Sequence, residues 1–330
     1  MPAFTAQPYV MATCRMAPLT AFADGAPLRE AIDANVSQCI ALAERAAGDH
    51  GARLIVFPQF GLTGYAMVSP EAWHGAALEF PGPELDQIGA AARKAGAWIV
   101  VQAPEKHAAF PGRHFLSCAI VGPDGGPVLV YRKNYSLSLR TSPVDVHARF
   151  ADVFGDDAFF PVARTEIGRL AVTIGAEPHW PEACRSLALR GAEVIANPVA
   201  ASPLLDYLQR PGARHARPVR AFENTVYLGM ANIDGGPQAP PSAIYDYTGA
   251  DVGRTAGPFV LADIDIAKLH AWREQPSADL LAQIQADTAV RPDPALHWPR
   301  DRWPEHAPAD FAELVETEAA ARRRLRASWR

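Results

Sequence analysis

The stretch "RLAVTIGAEPHWPEACRSLALRGAEVIANP", residues 169–198, changes its hydrophobic period twice. "RLAVTI" (169–174) and "EVIANP" (193–198) are short apolar runs of the kind that suits strands buried on both faces. Between them, "PEACRSLALRG" opens on Pro181 and closes on Gly191, the usual punctuation of a helix. The loop "GAEPHW" at the end of the first strand carries an acid, Glu177, and an imidazole, His179.

The same alternation runs outward along the chain. Further strands are expected at "RLIVF" (53–57), "WIVVQ" (98–102), "LSCAIV" (116–121), "PVLVY" (127–131), "VYLGMAN" (226–232) and "SAIYD" (242–246). Leu28, Ile32, Val36 and Ile40 recur at i+4 on a helix that should end near Gly48, and "PELDQIGAAARKAG" places Leu85, Ile88 and Ala92 on one helical face. "SPEAW" offers Ser69 as N-cap with Pro70 at the first helical position. "GPDGGP" (122–127) lies between two strands and reads as a hairpin turn. The fold class is α/β, with helical and sheet layers. No internal repeat, P-loop or post-strand GxGxxG is evident, so no nucleotide cofactor is expected.

Composition removes several function classes. The chain has 330 residues, 49% of them hydrophobic, with a net charge of -5, which is ample for a buried core and offers no basic face for nucleic acid or anionic lipid. "RRRLR" (322–326) reads as a solvated helix face. The N-terminal stretch has no charged n-region before an apolar h-region, and no apolar run is long enough to span a bilayer, so a cytoplasmic protein with no membrane partner is expected. Cys14, Cys39, Cys118 and Cys184 are scattered without CxxC spacing, which favours buried thiols over disulfides or a metal site. From about Pro276 the character changes. "RPDPALHWPRDRWPEHAPAD" (291–310) leads into a charged helix beginning at Asp310, with Glu313 in capping-box spacing. Residues 276–330 thus read as an arm and helix appended to a domain over 1–275, and Trp298 and Trp303 need a surface to pack on, either the chain's own body or a second subunit.

Four segments, "GARLIVFPQFGLTGY", "YRKNYSL", "IGAEPHWPEACRSLALRGAEVIANP" and "RAFENTVYLGMAN", resemble in order and spacing the blocks of the nitrilase, or carbon-nitrogen hydrolase, superfamily. "SAIYDYTGADVGRTAG" followed by "ADIDIAKLHAWR" matches its closing strands, so the resemblance covers roughly residues 8–275. It implies a four-layer α-β-β-α sandwich and pairing into homodimers or larger homo-oligomers. It also implies hydrolysis of amides or nitriles by a glutamate base, a lysine and a cysteine nucleophile. Here the lysine is Lys133, but the glutamate's place falls at Gln59 and the cysteine's at Gly175. A further family glutamate beyond the lysine has no clear equivalent, Asp145 being a distant stand-in.

Acyl transfer needs an attacking atom and a neighbour that takes its proton. Gly175 has no side chain, and the Gln59 amide is no base near neutral pH. Cys184 lies nine residues on, inside the expected helix. What the resemblance leaves is the polarising half of a site, Lys133 and the Ala176 backbone N–H. Glu177 is the candidate substitute base, with a loop-holding role as the plainer alternative. Gln59, Tyr65, Tyr135, Gly175, His179 and Trp180 are candidate binding residues. Glu182, Arg185, Arg220, Glu223 and Asn224 fall at bracing positions. Three readings follow: an enzyme acting on a small carbon-nitrogen compound without a thioester; an inactive relative that binds a small ligand or regulates an active paralogue; or an ordinary amidase or nitrilase inactivated by substitution.

Overall fold

The computed structural model describes residues 7–327 apart from 24–25, 136–139, 202–210, 237–238, 276–277, 285–300, 302 and 306–309. In chain order its principal elements are β1 (Tyr9–Cys14), α1 (Arg29–His50), β2 (Ala52–Val56), α2 (Pro70–Ala76), α3 (Pro83–Ala95), β3 (Trp98–Glu105), β4 (Phe115–Val121), β5 (Pro127–Arg132), α4 (His147–Phe154), β6 (Ala163–Thr165), β7 (Gly168–Val172), α5 (Pro181–Leu189), β8 (Val194–Val199), α6 (Pro211–Glu223), β9 (Tyr227–Asn232), β10 (Ala243–Tyr245), β11 (Arg254–Ala256), β12 (Phe259–Ile264), α7 (Ile266–Arg273) and α8 (Phe311–Ala327). One sheet has the order β11-β12-β1-β2-β3-β4-β5 and the other β10-β9-β8-β7-β6. β1, β2 and β3 pair in parallel, as do β7, β8 and β9, while the outer strands pair antiparallel.

Period-2 alternation assigns each strand's side chains to one of two layers. Met11, Leu54, Val56 and Val100 join Leu170, Val172, Val194 and Ala196 in the core between the sheets. Their neighbours Ala12, Cys14, Ile55 and Ile99 face the other way, onto Val36 and Cys39 of α1 and Ile88 of α3. On the far side Ala171, Ile195 and Leu228 pack against Cys184 and Leu187 of α5 and Ala221 of α6. The result is the four-layer α-β-β-α sandwich. Where the sheets approach most closely β9 has Gly229, because a Cβ there would lie 2.0 Å from Met11 Cε.

The local signals act largely as the sequence indicates. The Ser69 hydroxyl accepts from Ala72 N–H at the start of α2, and β4 and β5 form the hairpin across "GPDGGP". α1 runs past Gly48 to His50 and stops at Gly51, whose N–H reaches the Ala46 and Ala47 carbonyls from a left-handed φ of 65°. All four cysteines are free and buried. Trp303 is buried against the chain's own body, its carbonyl accepting from Arg113 and its indole N–H donating to Glu313 Oε1 at 2.5 Å. Trp298 lies outside the described residues. Among the described residues no helix is long and apolar enough to cross a membrane.

Candidate active site

The site lies beyond the carboxyl ends of β2, β5, β7 and β8, where the two sheets meet. Gln59 follows β2, and its N–H reaches the Val199 carbonyl at the end of β8 at 3.3 Å. Lys133 is the first residue after β5, its N–H held by the Leu116 carbonyl at 2.9 Å. β7 stops at Val172, two residues short of the expected end, because the chain curls into Gly175 at a φ of 61°. Gly175 N–H is pinned to the Pro198 carbonyl at 2.7 Å. A Cβ on Gly175 would stand 3.0 Å from Lys133 Nζ and 2.5 Å from Gln59 Oε1. The fold therefore gathers Gln59, Lys133 and Gly175 at one point, and the Gln59 amide leans into the space beside the glycine.

Residues outside the candidate set fix the peptide after Gly175. Asn197 Nδ2 and Arg217 donate to the Gly175 carbonyl at 3.3 and 3.0 Å, and Arg217 Nε donates to Asn197 Oδ1 at 2.7 Å. In a planar trans peptide the N–H points opposite to the C=O. Two donors holding that carbonyl from behind thus turn the Ala176 N–H forward, and among the described residues nothing accepts it.

Glu177 is fully buried and accepts four hydrogen bonds. Tyr131 Oη (2.7 Å), Asn134 N–H (2.9 Å) and Tyr135 N–H (3.0 Å) donate to Oε1, and Ile174 N–H (2.7 Å) donates to Oε2. Those donors come from β5, from the loop after Lys133 and from the end of β7, so the carboxylate ties the lysine segment to the β7 turn. Burial raises its pKa above the usual carboxylate value, opposed by the charge of Lys133 and by these donors.

Lys133 is about 95% buried, at 5% relative exposure, yet among the described residues its amine has no hydrogen bond or ion pair. Burial first, and the Arg140 guanidinium second, push its pKa down to about 7 against a smaller opposing pull from Glu177. Arg140 is itself buried, balanced by Asp145, Glu177 and Tyr131. Asp145, the distant stand-in for the further family glutamate, is buried in the turn after the lysine loop. Its carboxylate accepts the Ser142 N–H at 2.8 Å as a capping group and stands by Arg140.

Residues 12–274 match the carbon-nitrogen hydrolase family. The chain belongs to that family. Its relatives include a hydrolase encoded beside pqqF in Pseudomonas protegens, 31% identical over 56% of this chain and 59% of that protein. A Pyrococcus abyssi nitrilase is 31% identical over 61% of this chain and 69% of its own length. The chain thus spans less than two thirds of the Pseudomonas hydrolase. Among solved structures, Saccharomyces cerevisiae Nit3, described as a member of branch 10 of the nitrilase superfamily, superposes with a TM-score of 0.63 at 17% identity, covering 82% of this chain and 95% of that one. At that identity the likeness concerns the fold.

In this carbon-nitrogen hydrolase chain the other candidates stand farther out. Tyr135 stacks on Trp180 with centroids 5.8 Å apart, while Tyr65 lies against Phe60 and Trp73 and is half exposed. His179 faces a cavity of about 320 Å³, shared with Arg214, Arg217, Met230 and Tyr245, and none of Gln59, Lys133 or Gly175 lines it. Cys184 is sealed between α5 and the sheet with Leu187 and Ala171, where burial pushes its thiol up to about 12. Arg220 donates to the Pro178 carbonyl and pairs with Glu223, bracing the loop from α6.

Proposed function

We propose that the chain binds a small carbon-nitrogen compound, an amide, nitrile or amine derivative, and turns it over without a thioester intermediate. The observation that carries this reading is the buried Lys133 amine, which among the described residues has no hydrogen-bond partner, at a turn whose Ala176 N–H likewise has none among them. A carbonyl oxygen or nitrile nitrogen can receive the Ala176 N–H as charge develops on it, an arrangement that requires no thiol. The proton-taking role offered by the sequence to Glu177 passes to Lys133. The lone pairs of Glu177 are engaged by four donors, whereas a lysine poised near neutral pH can accept a proton from an attacking water and return it to the leaving group. Gln59 orients that water through its carboxamide. In this reading the protein works in the cytoplasm as a homodimer or larger homo-oligomer, and a domain over 1–275 carries the site.

One observation favours binding without turnover. Gln59 Oε1 lies 2.5 Å from where a Cβ on Gly175 would stand, so an inactive relative that holds a ligand is the second reading. A mass-spectrometric screen against amides, nitriles, carbamoyl compounds and amines, run beside Lys133→Ala, decides between them. Turnover that falls at least ~100-fold in Lys133→Ala supports the enzyme, a loss in keeping with removal of one acid-base group. Ligand binding with no product from the parent protein supports the second reading.

A further inference from the structure

We infer that Lys133 is also a covalent nucleophile, whose amine captures a small carbonyl compound, an aldehyde or a 2-oxo acid, as an imine. This goes beyond the hydrolytic reading and stands whether or not any amide is turned over.

The geometry that points to it is local to one atom. An amine can attack carbon only if its lone pair is free of a proton and of hydrogen-bond partners, and if there is space in front of it. Lys133 Nζ has no hydrogen bond or ion pair among the described residues, and the nearest carboxylate, Glu177, is engaged by four other donors. Gly175 brings no side chain against the amine: the point where its Cβ would stand is 3.0 Å from Nζ, and a carbonyl carbon can take that point once Gln59 Oε1, 2.5 Å from it, draws back. Gln59 Oε1 borders that space from the other side, at the far end of a flexible side chain that can give way. Burial and the adjacent guanidinium of Arg140 keep a large fraction of the amine uncharged near pH 7, with Glu177 opposing them. A neighbouring cation beside a desolvated lysine is a general means of making an amine nucleophilic. The same positive field favours a carbonyl compound that carries a carboxylate.

The step balances without a further reactant. The Nζ lone pair forms a bond to the carbonyl carbon, whose π electrons move to oxygen. A proton passes from nitrogen to that oxygen and gives a neutral carbinolamine. The carbinolamine hydroxyl then takes a proton from solvent and leaves as water, and the nitrogen lone pair closes the C=N bond. The product is an iminium bearing one positive charge, formed from amine, carbonyl and one proton, with one water released. The Ala176 N–H is placed to hold the carbonyl oxygen during attack.

The chain supplies its own controls, because its four lysines are Lys94, Lys106, Lys133 and Lys268 and the other three are exposed. The full-length protein would be treated at pH 7 with glyoxylate, pyruvate or acetaldehyde as probes. Sodium cyanoborohydride would fix any imine as a secondary amine, and peptide mass spectrometry would locate it. A lysine at the usual solution value is almost wholly protonated at that pH, so Lys133 is expected to label roughly a thousandfold faster than the others. The two oxo acids should label faster than acetaldehyde, and Lys133→Arg, which keeps the cation, should remove the adduct from this position. Label spread over Lys94, Lys106 and Lys268 with Lys133 unmodified would overturn the inference. Adduct at Lys133 with no turnover of any amide or nitrile upholds it while removing the hydrolytic reading. Turnover with no adduct does the reverse.

Discussion

Lys133 links the site to stability through its protons. Its folded pKa, about 7, lies below the usual lysine value, so between those two values the unfolded chain binds more protons than the folded one. Stability contributed by this residue is therefore absent below pH 7 and grows as pH rises from about 7 towards the ordinary lysine range. The limiting slope is about 1.4 kcal/mol per pH unit for one proton. Urea unfolding at pH 7, 8 and 9 should show that rise, and Lys133→Met should flatten it; equal slopes in the two proteins would place the linkage elsewhere. Gly175 makes a second residue-level case. A cysteine there would have to adopt a φ of 61°, which costs a residue with a Cβ about 1–2 kcal/mol, and would displace the Gln59 amide. Gly175→Cys with Gln59→Glu is thus expected to lose about that much stability in urea melts. Because the four native cysteines are buried, its new thiol should be the one that iodoacetamide labels in the folded protein.

Elements hold these atoms in place. The turn after β7 is clamped from behind by Asn197 and Arg217 at the Gly175 carbonyl and from the front by Glu177 across to the lysine loop. Removing a rear donor should cost positioning and leave the lysine's acidity unchanged. Asn197→Ala is expected to weaken ligand binding about tenfold, the value of one hydrogen bond, with the pH midpoint of Lys133 labelling unmoved. Glu177→Gln should instead destabilise the fold by about 2–4 kcal/mol, because charge-assisted bonds to Tyr131 and three backbone N–H groups weaken together. Differential scanning calorimetry of both variants separates the two roles. This scale also explains what could be read in advance. Strands rich in Val, Ile and Leu were legible from pattern, as was the helix between β7 and β8. β1, "YVMATC", was not, because its small and mixed residues take their strand character from burial between β2 and β12. Lys133, Gln59 and Gly175 were legible by resemblance. Arg140 and Arg217 were not, since "SLRTS" and "ARHARPVR" read as solvated surface until the fold buries their guanidinium groups.

At the scale of the whole molecule, the described residues of the C-terminal arm meet the body beside the site at two places, through Asp301 and through Trp303. Asp301 N–H donates to the Val144 carbonyl at 3.1 Å, and Asp301 Oδ1 accepts from Ala148 N–H at 3.0 Å. The buried Trp303 meets Arg113, whose neighbour His114 accepts the Thr141 N–H on its carbonyl at 2.9 Å. The arm therefore bears on both sides of the turn from Arg140 to Val146, the segment whose guanidinium depresses the pKa of Lys133. If that turn loosens, Arg140 gains water and its field at Lys133 weakens, so the lysine's pKa should move up towards the ordinary lysine value. Trp303→Ala is expected to cost about 3–5 kcal/mol as a large buried truncation, and to shift the midpoint of the Lys133 labelling profile upward from about 7. The midpoint can be read by reductive labelling from pH 6 to pH 10 at a temperature where the variant stays folded. A midpoint that stays near 7 while the melting temperature falls would mean that the arm supports the fold without tuning the site. A rise in both would make a segment more than 160 residues away in sequence (Lys133 to Trp303) a determinant of the amine's reactivity.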